Sequence, residues 1–147
     1  MKEQKEIISK INDLIEVCNE RVQGYRTAAK DVNDQELTSL FEQYARQTED
    51  FVKELMPYSD EINPEEIGTR TIGDAWKIWI DLKASITKGG REAILGACIT
   101  GEQAAIRAYE DNLEENLPME LRNIIVKQLG ELRSALGNIK AKKEALH

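Results

Sequence analysis

The residue with the most chemical potential is Glu102, a carboxylate on a helical stripe that also carries Cys98, Ala105 and Tyr109 within two turns. Such spacing turns the side chain toward an apolar interior, where a charge loses hydration and must find a partner. Three readings stand open: a neutralised or hydrogen-bonded core acid, an acid that reaches out at a groove edge, or a contact to a metal or small ligand. Tyr25, Tyr109, Gln128, Gln103 and Glu131 are the candidate partners. With Glu131, Glu102 could hold a hard cation weakly, so these two are the only metal candidates; no metal and no cofactor is expected. A vacant site would make Glu102→Gln stabilising by about 1 kcal/mol, because it keeps the shape and removes a buried charge.

Nucleophilic chemistry finds no support. The single histidine is His147, and a continuous helix from Glu131 would put it about 24 Å away. A Ser-His or Cys-His pair is therefore excluded. Cys18 and Cys98 form no C-x-x-C motif, so they read as reduced core thiols and not as a zinc or redox pair. Gly89-Gly90 before a helix start could hold an anion but reads as a hinge, and Lys140, Lys142 and Lys143 read as complements of a helix dipole. The chain is expected to be non-enzymatic.

The elements that position these groups are helices. Proline occurs only at 57, 64 and 118, and the segments between carry apolar residues at spacings of three and four. Ile7, Ile11, Leu14, Ile15, Cys18, Val22, Tyr25, Ala29 and Val32 mark the first stripe. Asn33 or Asp34 caps the second, Glu36 completing a capping box with Asn33, and the stripe continues through Leu37, Leu40, Phe41, Tyr44, Thr48, Phe51, Val52 and Leu55. Leu95, Cys98, Glu102, Ala105, Ile106, Tyr109 and Leu113 define the third, from about 91 to 115. Leu121, Ile124, Ile125, Gln128, Leu132, Ala135, Leu136 and Ile139 define the fourth, which begins near Pro118.

The reading is all-α: one domain over 1–147, with an antiparallel hairpin at about 3–56, a crossover at about 57–90 and a second hairpin at about 91–146. The crossover carries a short helix with Trp76 and Trp79 beside Ile72, Ile80 and Ile86, expected to be an apolar lid. The hairpins look duplicated. An offset of 80 places Cys18 on Cys98, Gln23 on Gln103, Ala28 on Ala108 and Asp31 on Asp111, and an offset of 84 places Leu37 on Leu121 and Leu55 on Ile139.

With 147 residues, 32% charged and 41% hydrophobic, the chain suits a compact, well-solvated fold. Its net charge of −7 repels phosphate backbones, so nucleic acid is not an expected partner. No apolar run suggests a leader or membrane span, and the expected location is the cytoplasm. Self-association into a homo-oligomer is open, and no particular protein partner is indicated.

Leu14-Ile15-Glu16-Val17-Cys18, Gly24-Tyr25-Arg26-Thr27-Ala28-Ala29, Leu37-Thr38-Ser39-Leu40-Phe41, Trp79-Ile80-Asp81-Leu82-Lys83 and Cys98-x-x-Gly101-Glu102 resemble a bacterial four-helix-bundle family, catalogued as a domain of unknown function within the ferritin-like superfamily. The resemblance implies a ferritin-like four-helix bundle of two hairpins joined by a long crossover. In it the first and third helices are antiparallel, which would set the two cysteines about 12 Å apart, too far to bridge. Di-iron members use a carboxylate on each of two helices and Glu-x-x-His on the other two. Here there is no Glu-x-x-His, and the offset of 80 aligns Glu102 with Val22, where the resembling family often has Glu. The resemblance thus implies a non-catalytic bundle acting by binding or assembly, with a loose link to stress physiology; the alternative is a degenerate iron- or manganese-binding protein with oxidase or iron-handling activity.

Overall fold

The computed structural model describes residues 2–59, 84, 90–114 and 116–146. It is all-α: four long helices and, among the described residues, no strand. In chain order these are α1 (Lys2–Asp31), α2 (Gln35–Leu55), α3 (Arg91–Leu113) and α4 (Met119–Glu144). A single 3₁₀ turn, Met56–Tyr58, extends α2 with Pro57 in its first turn. The lid expected around Trp76 and Trp79 lies outside the described residues.

Local chemistry sets the ends. Asp34 is the N-cap of α2, extended in backbone, and its Oδ1 accepts from the Leu37 N–H at 3.2 Å, satisfying one of the donors that a helix start leaves open. The expected capping box on Asn33 does not carry this cap. Glu36 is drawn instead to Arg91 and Lys142, whose nitrogens lie 2.9 and 2.8 Å from its Oε1. Together these cations hold its carboxyl below the usual range, Lys142 most strongly. Pro118 precedes α4 with φ −54°, the angle a helix start needs from a residue without an N–H.

α1 packs along α2 and α3 along α4, while α1 also meets α3 and α2 meets α4. Two apolar clusters fill the interior. One joins Ile11, Leu14, Ile15 and Cys18 of α1 to Phe51, Leu55, Ala105, Tyr109, Leu121, Ile125 and Leu132. The other joins Tyr25 and Ala28 to Leu37, Phe41, Tyr44, Leu95, Cys98, Ala135 and Ile139. Between them in the sequence of each helix fall Arg21 (α1), Thr48 (α2) and Glu102 (α3), all buried. A polar layer therefore divides the core, and it is drawn from three helices.

Candidate functional site

The divided core places Glu102 at 0% and Arg21 at 1% side-chain exposure. Arg21 Nε donates to Glu102 Oε1 at 2.6 Å and Nη2 donates to Oε2 at 2.7 Å, the parallel two-bond geometry that matches guanidinium to carboxylate. Nη1 faces α2, donating to Gln47 Oε1 at 3.1 Å and to Thr48 Oγ1, with the Tyr44 carbonyl at 3.4 Å. Thr48 spends its own hydrogen on the Tyr44 carbonyl at 2.7 Å. Aromatic rings complete the cage: the Arg21 Cζ lies 5.1 Å from the Tyr25 centroid and 5.4 Å from that of Tyr44, within cation–π range. Burial alone would lower the Arg21 pKa, but the charge of Glu102 and its hydrogen bonds to the guanidinium carry it above the ordinary value.

A second polar string runs through the cluster that holds Cys18 and Tyr109. Tyr109 Oη donates to Gln128 Oε1 at 2.7 Å and lies 3.1 Å from Cys18 Sγ; with its one hydrogen given to Gln128, Tyr109 accepts from the Cys18 thiol. Gln128 Nε2 then donates at 3.2 Å to both the Phe51 carbonyl and Glu54 Oε1. The string thus climbs from a core thiol to a half-exposed carboxylate on α2. Burial pushes the Cys18 pKa up to about 11, against the opposing charge of Arg21. Burial also raises Cys98, Tyr25 and Tyr109. Both thiols are buried and neither is in a disulfide.

The sequence-derived candidates divide between these networks. Tyr25 meets the Arg21–Glu102 pair through its ring, whereas Tyr109 and Gln128 bond to each other and to Cys18. Gln103 is exposed, on the outer side of α3, and Glu131 is half-buried and lines a surface groove between α2 and α4. Glu102 and Glu131 are therefore not brought together. The partner that sequence reasoning missed is Arg21. Its signal was present: Leu14, Cys18, Arg21, Tyr25 and Ala28 follow alternating steps of four and three, and all five are buried, while Val22, assigned to the stripe, is only half-buried. An offset of 81, not 80, pairs the two helices at this level. The sign expected for Glu102→Gln in a vacant site reverses here, because the acid already neutralises a buried cation.

Both oxygens of Glu102 accept from the cationic guanidinium of Arg21. Among the described residues no group of three or more His, Cys, Asp or Glu is placed to hold a metal ion. Nor is any described helix long and apolar enough to cross a membrane.

What these features define is an all-helical protein with a salt-bridged polar layer at its centre. The chain belongs to the family described as Domain of unknown function (DUF2383), which matches residues 6–115. The match begins within the first turns of α1, includes α2 and α3, hence Arg21, Thr48 and Glu102, and ends before α4. No curated protein matches the chain.

Proposed function

We propose that this protein is a non-catalytic, ferritin-like four-helix bundle that acts by binding or assembly, in the cytoplasm and without nucleic acid. The observation that carries this reading is the Arg21–Glu102 pair: at the core position where a di-iron bundle gathers carboxylates around cations, this chain supplies its own cation on a side chain. A metal ion there would have to displace a two-bond guanidinium and tolerate its charge. The ferritin-like topology rests on the order of the bonds between helices. Arg21 meets Glu102 and the Lys10 carbonyl meets Asn112, so α1 and α3 run in opposite senses. Arg21 with Gln47 and the Ala29 carbonyl with Thr38 give the same relation for α1 and α2. α2 and α3 are then parallel, so the end of α2 and the start of α3 lie at opposite ends of the helices, the relation expected of two hairpins in a ferritin-like bundle.

Metal analysis of protein purified without chelators tests the reading. The expected result is iron and manganese far below one per chain. Stoichiometric metal that disappears in Glu102→Ala would overturn it in favour of the degenerate metal-binding alternative. Light scattering reports the assembly state directly.

A further inference from the structure

The two buried networks reach the surface at one place, the groove of about 510 Å³ between α2 and α4. Gln47, whose Oε1 is fixed by Arg21 beneath it, lies toward one end, and Glu54, fixed by Gln128, lies at the other. The bonds Gln128 to Phe51 and Asn138 to Tyr44 set the register of the two helices. By that register Glu54 stands level with Lys127, Asp50 is near Glu131, and Arg46 lies one turn further along α2. Glu54 and Lys127 are paired at 3.8 Å. Arg46, Asp50 and Glu131 line the same groove and make no ion pair among the described residues. That includes Arg46 with Asp50, although four residues apart on a helix is the spacing at which such pairs form.

We propose that this groove is a binding site for a small zwitterion: an ammonium held between Asp50 and Glu131, and a carboxylate held by Arg46 and the Nε2 of Gln47. The charges alternate along the groove in the order such a ligand needs, two acids and then a guanidinium. Their axial separation of roughly 6 Å, four residues of helix rise, matches the two ends of a linear ω-amino carboxylate and exceeds the spacing in an α-amino acid. Gln47 and Glu54 cannot swing freely, because each is tied to a buried partner, so the floor of the groove is set before a ligand arrives. The volume is that of a small-molecule site, and the lining, Phe51 apart, is entirely charged or amide side chains, which suits a doubly charged ligand and not an apolar one. The proposal rests on the binding reading given above, but ligand titration and metal content are separate measurements, so either can fail alone.

The test is titration of the full chain with δ-aminopentanoate, followed by calorimetry and by backbone amide shifts. Pentylamine and pentanoate, each carrying one of the two charges, serve as comparators. Saturable binding at millimolar ligand is expected, with shifts centred on residues 46–54 and 127–131, and with both comparators at least tenfold weaker. Asp50→Asn, Glu131→Gln and Arg46→Gln should each weaken binding tenfold or more. Glu42→Gln, an exposed acid of α2 outside the groove, should change it less than twofold. Circular dichroism of each variant verifies that its helices are intact. No saturable shift, a comparator binding within twofold of the zwitterion, or equal losses in the Glu42 variant would each overturn the proposal.

Discussion

Replacing Glu102 by Gln changes no shape but removes one of two charges that face each other at the centre of the core. The guanidinium of Arg21 stays 1% exposed, and an arginine cannot escape the cost by losing its proton. The amide also points an N–H₂ group at a donor-only partner, so one of the two parallel bonds is lost outright. Breaking a buried pair from one side costs about 3–5 kcal/mol, a large part of the roughly 5–15 kcal/mol that holds a domain folded. At roughly 2–4 °C per kcal/mol for a chain of this size, the thermal midpoint should fall by about 6–20 °C. Arg21→Met should cost a similar amount, because it strands the carboxylate. Removing both charges is different. In Arg21→Met with Glu102→Leu the side-chain volumes are close to those replaced, and Thr48 keeps the Tyr44 carbonyl as its own acceptor. The double variant should therefore lie within about 1 kcal/mol of the parent or above it, at least about 2 kcal/mol better than the sum of the singles. Urea melts of the four proteins at neutral pH measure all of this. A Glu102→Gln variant within about 0.5 kcal/mol of the parent, or a double variant as unstable as the sum, would refute the argument that the pair is buried and coupled.

Further outcomes concern Cys18 and two glycines of α4. With its pKa pushed by burial up to about 11, the Cys18 thiol should react with a disulfide reagent at pH 8 about a hundredfold more slowly than a free thiol even before access is considered; both cysteines should titrate only in denaturant. Because the folded state raises this acid's pKa, its contribution to stability is complete below about pH 9 and is lost as pH rises toward about 11. Alkaline melts of the parent should thus fall more steeply over that interval than those of Cys18→Ala. Gly130 and Gly137 are exposed within α4, and an added Cβ would meet nothing within 4 Å at either. Gly130→Ala and Gly137→Ala should each stabilise the fold by about 0.5–1 kcal/mol, read as a raised urea midpoint.

The helices and most of their inward faces could be read from the order of residues. Leu37, Phe41, Tyr44, Thr48, Phe51 and Leu55 were legible as the buried side of α2, and Leu121, Ile125, Gln128, Leu132, Ala135 and Ile139 as that of α4, because a period near 3.6 is a property of the chain alone. Glu102 could be placed inward for the same reason. What it meets depends on how the helices pack. Periodicity fixes where a side chain points around its own axis, but not which residue of another helix stands opposite, and a shift of one position exchanges a half-buried valine for a buried arginine. The same limit applies to Tyr109 and Gln128, whose inward direction was legible while their bonds to Cys18 and Glu54 were not. It applies also to Glu131, whose place in a groove depends on how far α4 lies from α2. Pairing is set when the apolar surfaces of four helices are buried together, and the register that buries them best brings Arg21 to Glu102.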